Sequence, residues 1–193
     1  MDTTRASLIL RVRDSTDRTA WDEFDGIYRP ILKRFAGARG LAEDEAEEVA
    51  QQCMTALCEH IREFDYDPAK GKFKAWLRTM VNNRILNSFR GRREQPARTQ
   101  DLERLAENDR TPDELFDMVW RREHLRHCLT LIRAEVEPTT FDAFVEHVID
   151  ERPVEQVCQS RGMTANQVHA IKSRMLKRIR ERMIELLGEE PEG

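Results

Sequence analysis

The chain has 193 residues, of which 39% are hydrophobic and 35% charged, with a formal net charge of -4. That length holds one ordinary domain or two small ones, and the modest apolar share excludes a single large barrel. Aromatic residues at 7% and only 8 glycines favour helix over sheet, and the expected fold is all-α. No apolar run of about 18 residues and no secretory-type leader is present, so the expectation is a cytoplasmic protein without membrane insertion. The four cysteines, Cys53, Cys58, Cys128 and Cys158, are too few and too scattered for a disulfide scaffold, and reduced thiols are expected.

In chain order, Trp21, Phe24, Ile27, Tyr28, Ile31, Leu32 and Phe35 recur at helical spacing, with Pro30 as an interruption or kink and Gly37 and Gly40 as the end. A second helix starts near Asp44, with Ala46, Val49, Ala50, Cys53, Leu57 and Ile61 on its apolar side and acidic residues at the positive end of its dipole. Phe64–Phe73 reads as a loop from its Asp-Pro and Lys-Gly pairs. A further helix carries Phe73, Trp76, Leu77, Met80, Val81, Ile85 and Phe89 as its stripe, with cations and asparagines on the other faces. Gln95–Pro112 is polar and holds two prolines, so a flexible linker is expected there. Next, Leu115–Arg133 reads as a helix with Leu125, Cys128, Leu129 and Ile132 inward. Phe141, Phe144, Val145, Val148 and Ile149 define another, bounded by Glu137-Pro138 and Arg152-Pro153. A short helix with Val154, Val157 and Cys158, a turn at Arg161-Gly162-Met163, and a long helix capped by Thr164 complete the chain. The expected organisation is two small helical domains, 1–94 and 115–188, joined by a flexible linker at 95–114 and followed by a tail at 189–193.

The net charge hides a segregation along the chain. Leu41–Asp67 carries -8, Lys70–Arg98 +8, Thr99–Trp120 -5 and Arg161–Arg182 +6. Two basic blocks point to two polyanion-binding surfaces, and the acidic blocks to a surface for a basic partner. In Pro153–Arg178 the short helix, glycine turn and longer helix have the layout of a helix-turn-helix. Ala165, Asn166, Gln167, His169 and Ala170 are placed to meet base edges, and Lys172, Ser173, Arg174 and Lys177 to meet phosphates. The same layout also fits a charged terminal helix of a bundle. In the first basic block, Phe73 and Trp76 interleave with Asn82, Asn83, Arg84 and Arg90, after a loop with Phe64, Tyr66 and Lys72. Rings beside cations suit stacked single-stranded bases, while the helical spacing of Phe73 and Trp76 equally suits core packing.

These segments together resemble the bacterial sigma-70 family, in its small, two-domain extracytoplasmic-function (ECF) type. Glu45–Leu57 is similar to the region 2.2 helix, Phe73–Arg90 resembles regions 2.3 to 2.4, including the aromatic-x-x-Trp-Leu start and the Asn83-Arg84 pair, and Val154–Leu187 resembles region 4.2. The resemblance implies an RNA polymerase sigma factor, not an enzyme and without cofactor, whose partners are core RNA polymerase (clamp helices and flap of the large subunits) and promoter DNA, with an anti-sigma factor as a further candidate. It implies polymerase docking through Asp44, Glu47, Glu48, Gln51 and Gln52. For the minus-ten element it implies Tyr66, Lys72, Lys74, Trp76, Arg78, Asn82, Asn83, Arg84, Asn87 and Arg90. For the minus-thirty-five element it implies Thr164, Asn166, Gln167, His169, Ala170, Lys172, Ser173, Arg174, Lys177 and Arg178. The chain departs from the family pattern at Asn87, where aspartate is common, and in the absence of a Leu-Pro turn around Leu131–Pro138.

Other classes find less support. His124-x-x-His127-Cys128 has no second Cys/His pair to complete a four-ligand set, so no metal is expected. Carboxylate pairs such as Glu47 with Glu48 or Asp65 with Asp67 have no histidine, lysine or phosphate loop at a supporting spacing for a nuclease. The remaining alternative is a stand-alone helix-turn-helix regulator, which needs a ligand pocket or dimer seam in its first domain.

Overall fold

The computed structural model describes residues 4–63, 72–93 and 110–187, and these are helical with short turns. The helices are α1 (Thr4–Arg11), α2 (Arg18–Ala38), α3 (Glu43–His60), α4 (Lys72–Arg93), α5 (Pro112–Glu135), α6 (Pro138–Phe144), α7 (Val154–Arg161) and α8 (Ala165–Leu187), with a π-turn at Val145–Ile149 directly after α6. The chain divides into two compact units, residues 1–123 and 124–193, and the division falls inside α5. The sequence reading opens the second domain at 115. Instead, Leu115, Phe116, Val119 and Trp120 bury in the first unit, because these four apolar residues give the start of α5 its own stripe. Most of the expected loop at Phe64–Phe73, most of the linker and the tail lie outside the described residues, and the last two residues of that loop, Lys72 and Phe73, are instead the start of α4.

In the first unit α2 is central, packed on α1, α3 and α4. Its start is fixed by Asp17, whose carboxylate accepts from the Ala20 N–H at 2.9 Å and is clamped by Arg11 at 3.0 and 3.1 Å. Pro30 does not break the helix, which runs on to Ala38. The carbonyl deprived of a partner belongs to Gly26, an exposed residue, so water can satisfy it. Gly40, at φ 90°, turns the chain into α3. There Glu45 reaches back to accept from the Ala42 N–H at 2.9 Å. The stripes read from the sequence pack as expected: Phe24, Ile27, Tyr28, Ile31, Leu32 and Phe35 of α2 and Val49, Cys53 and Leu57 of α3 are buried. On α4, Phe73, Leu77, Val81 and Ile85 are buried, while Trp76, Met80 and Phe89 are half-buried.

Aromatic rings join these helices. Tyr28 lies 4.4 Å from Phe24, 5.1 Å from Phe73 and 5.8 Å from Trp120, and Phe116 meets Phe35 edge-on at 5.0 Å. Such pairs add to the area term, and truncating one buried ring costs about 3–5 kcal/mol. The start of α5 is set by Thr111 and Glu114: the Thr111 N–H donates to the Glu114 carboxylate at 2.8 Å and the Glu114 N–H to the Thr111 hydroxyl at 3.3 Å.

In the second unit, Pro138 opens α6 at the break expected from Glu137-Pro138. Val168, Ile171, Met175, Met183 and Leu186 form the buried stripe of α8. Two apolar positions differ from expectation. Leu125 is exposed, because the buried positions His124, Cys128 and Ile132 recur every four residues and leave it off that line. Ile149 is also exposed, because the widened π-turn moves it off the stripe that a continuous α-helix would give. Within that turn, Glu146 is bound by Arg152 Nη1 at 2.6 Å and by Arg161 Nη2 at 2.5 Å, and Arg161 also reaches Asp142 at 3.1 Å. This cluster ties α6 and the π-turn to α7. The hydrogen bond from Arg161, reinforced by the Arg152 charge, holds the Glu146 carboxyl below its ordinary 4.5.

All four thiols are free. Burial pushes Cys53 up to about 12 and Cys128 up to about 11, so both are neutral and unreactive near pH 7. A thiol reagent should therefore label the exposed Cys58 in the native chain, with Cys53 and Cys128 reacting only on unfolding. Mass spectrometry of the labelled peptides checks this, and modification of Cys53 ahead of Cys58 would contradict the packing. For Glu146, whose carboxyl is lowered in the fold, the stabilisation is complete above its unfolded value and is lost as pH falls through the lower folded one. Glu146→Gln should thus melt below the parent chain at neutral pH, with the gap narrowing as pH drops below the ordinary carboxylate range. Thermal melts across pH test it, and a gap independent of pH would deny the ion cluster its role.

Candidate polymerase-docking and nucleic-acid faces

Helical spacing puts Asp44, Glu48, Gln51 and Gln52 on one outer face of α3, and all four are exposed. Gln52 donates to Glu48 at 3.1 Å, and Gln51 accepts from Arg29 at 2.9 Å. Glu47 differs from its neighbours because its carboxylate is ion-paired to two cations of α2. Its carboxylate lies 3.1 Å from both Lys33 and Arg29, and the Lys33 hydrogen bond, followed by that of Arg29, holds it below its ordinary value. Of the five residues expected to dock polymerase, Glu47 is therefore a strut between α2 and α3, while Asp44, Glu48, Gln51 and Gln52 form an exposed polar face on which Gln51 also carries a hydrogen bond from Arg29 of α2.

The residues expected on α4 fall on two faces. On the first, Lys74 is 2.7 Å from Asp117 and 5.8 Å from the Trp120 ring centroid, Arg78 is 3.2 Å from Asp113, and Asn82 accepts from Arg39 at 2.8 Å. On the second, Asn83, Leu86, Asn87 and Arg90 are exposed together, at steps of three and four. Trp76 is half-buried with its ring 6.0 Å from Phe73, and Arg84 is half-buried toward α3, where its charge acts on Cys53. Tyr66 lies outside the described residues, as does the side chain of Lys72.

In the second unit, α7 ends at Gly162, whose φ of 63° is left-handed. Thr164 then opens α8: its N–H donates to Gln167 Oε1 at 2.8 Å, and the Gln167 N–H donates to its hydroxyl at 3.3 Å. Thr164 and Gln167 thereby make the helix start. Beyond them Asn166, His169, Ala170, Lys172, Ser173, Arg174, Lys177 and Arg178 are all exposed along α8. The His169 ring stands 5.9 Å from His147, whose Nδ1 is 3.1 Å from the Arg152 carbonyl, so the N-terminal end of α8 is braced by the π-turn that follows α6. The sequence reading missed Arg39, Asp113 and Asp117. For the two aspartates a signal existed, the acidic block Thr99–Trp120, whose basic counterpart within the chain the sequence does not identify.

A cleft of about 680 Å³ in the first unit is flanked by Arg29, Lys33 and Arg34. Each of these cations already faces a carboxylate, Arg34 that of Glu123 at 3.0 Å, so the walls are largely self-neutralised. Among the described residues, no group of three or more His, Cys, Asp or Glu side chains could hold a metal ion, and no helix is long and apolar enough to cross a membrane.

Comparison with known proteins agrees with this geometry. Residues 26–95 match the sigma-70 region 2 family model, a span that takes in most of α2 and all of α3 and α4. The chain is 29% identical over 84 residues to the ECF RNA polymerase sigma factor RpoE of Cereibacter sphaeroides, a match covering 44% of this chain and 45% of that relative. The match spans less than half of the relative's length. With the acidic α3 face and the basic α4 inside the matched segment, residues 26–95 are similar to sigma-70 region 2, and the chain is similar to the ECF type of that family.

Proposed function

We propose that this chain is an RNA polymerase sigma factor that binds core polymerase in the cytoplasm, directs it to promoters and assists their opening. The observation that carries the reading is the coincidence, within residues 26–95, of the region 2 match with an exposed acid-and-amide face on α3 and an exposed Asn83–Asn87–Arg90 face on α4. In this reading Asp44, Glu48, Gln51 and Gln52 dock on a basic surface of polymerase. Asn83, Asn87 and Arg90, with Tyr66, Lys72, Lys74, Trp76, Arg78, Asn82 and Arg84, serve the minus-ten element. Amides suit base edges, and cations suit phosphates. The α8 residues from Asn166 to Arg178 serve the minus-thirty-five element in the major groove. The net charge of -4 supports this division of labour, since a chain with weak non-specific DNA affinity reads promoters only when polymerase supplies further contacts.

Two sets of variants test the reading. Asp44→Lys with Glu48→Lys leaves the Glu47 struts in place and should keep native helicity while weakening core polymerase binding about tenfold or more. Unchanged binding by the folded variant would remove α3 from the docking surface. Alanine at Lys172, Arg174 and Lys177 should weaken duplex binding and flatten its salt dependence by up to about 3 in log–log slope. An unchanged slope would remove these residues from the phosphate contacts.

A further inference from the structure

The acidic segment Thr99–Trp120 has no part in docking or promoter contact, yet its described end, the start of α5, lies on α4. Asp117 and Asp113 are one helical turn apart, as are Lys74 and Arg78. The pairs run antiparallel, Asp117 on Lys74 at 2.7 Å and Asp113 on Arg78 at 3.2 Å. Four residues are about 6 Å of helix rise, comparable to the spacing of successive phosphates on an extended strand. Resting on the reading of α4 as a nucleic-acid surface, we infer that Asp113 and Asp117 are internal competitors that occupy the phosphate positions of Lys74 and Arg78 in the free chain.

Three features favour competition over a purely structural clamp. The position of α5 does not depend on the ion pairs, because Leu115, Phe116, Val119 and Trp120 bury in the first unit and hold it there. The carboxylates are partly accessible, with Asp113 63% and Asp117 45% exposed; Asp117 Oδ1, the oxygen on Lys74, is covered, but the remaining exposed edge of each carboxylate lets it swing aside while the aromatic anchor stays in place. Pairs that are open to solvent on the carboxylate side, as these are, stay weak and are partly screened by salt. A strand whose phosphates approach Lys74 and Arg78 can displace them, and any contact that offers α4 additional affinity tips the exchange. The anchored helix keeps both carboxylates at high local concentration, so short or poorly matched nucleic acid does not displace them.

The test is fluorescence anisotropy of a short fluorescein-labelled single-stranded oligodeoxynucleotide with the full-length chain. Asp113→Asn with Asp117→Asn should bind about fivefold more tightly than the parent, with a steeper salt dependence from up to two further phosphate contacts. Asp22→Asn with Glu59→Gln, which removes the same charge from exposed positions on α2 and α3 rather than from the partners of Lys74 and Arg78, should give little gain. Adding Lys74→Ala and Arg78→Ala to the asparagine variant should abolish the improvement. A gain equal to that of the control variant would overturn the proposal as a net-charge effect. No gain from the asparagines, while Lys74→Ala with Arg78→Ala weakens the parent, would overturn the competition and leave α4 as the nucleic-acid surface. No effect of the alanines in either background would overturn both. Circular dichroism establishes that each variant is folded.

Discussion

Tyr28 lies where three helices of the first unit meet, with its ring against Phe24 on its own helix, Phe73 at the start of α4 and Trp120 on α5. The other described features of this unit depend on that junction. It fixes the rotation of α4 about its axis, and with it which of the polar residues of α4 face outward. It also brings the start of α5 alongside α4, where Asp113 and Asp117 meet Arg78 and Lys74. A loss of one of these rings would therefore act on two levels, through the cost of a cavity and through a loss of register between charged faces.

On such a scaffold, segregated charge becomes segregated surface. Leu41–Asp67 at -8 and Lys70–Arg98 at +8 would attract one another in any compact state, and the structure uses only part of that attraction. Glu47 is spent on Arg29 and Lys33, tying α3 to α2, whereas Asp44 and Glu48 remain outside on the next face. On α4, Lys74 and Arg78 are engaged internally while Asn83, Asn87 and Arg90 face solvent. Each of these partly exposed pairs contributes modestly to stability. Their larger effect is to decide which charges are open to a partner and which must first be released. In the second unit the Glu146 cluster plays a more structural part, bracing α7 and the turn that leads into α8.

Much of this was legible from periodicity. The stripes of α2, α3, α4 and α8 repeat at three and four residues with few competing apolar positions, so the buried sets follow directly. The Gly162 turn and the Thr164 cap were equally plain, because a left-handed glycine and a Thr-x-x-Gln start leave few alternatives. The ambiguous stretch was α5. It carries apolar residues on more than one line, and the choice of His124 over Leu125 as a buried position depends on tertiary partners that the sequence does not display. For the same reason the sequence reading opened the second domain at 115, whereas Phe116 and Trp120 pack in the first unit. Residue types identified the candidate faces, but not their partners. That Glu47 is a strut while Glu48 is open, or that Asn82 is held by Arg39 while Asn83 is free of that constraint, depends on about 100° of helix rotation per residue and on neighbours distant in sequence.

The central claim is that these faces act together on polymerase and promoter. Run-off transcription on a pool of genomic promoter fragments, with purified core RNA polymerase in the presence and absence of the full-length chain, tests it most directly once the transcript starts are sequenced. The account predicts defined starts that require the chain and share two upstream motifs. Folded chain that neither binds core polymerase nor produces new starts would contradict it, and would favour a helix-turn-helix regulator acting without polymerase.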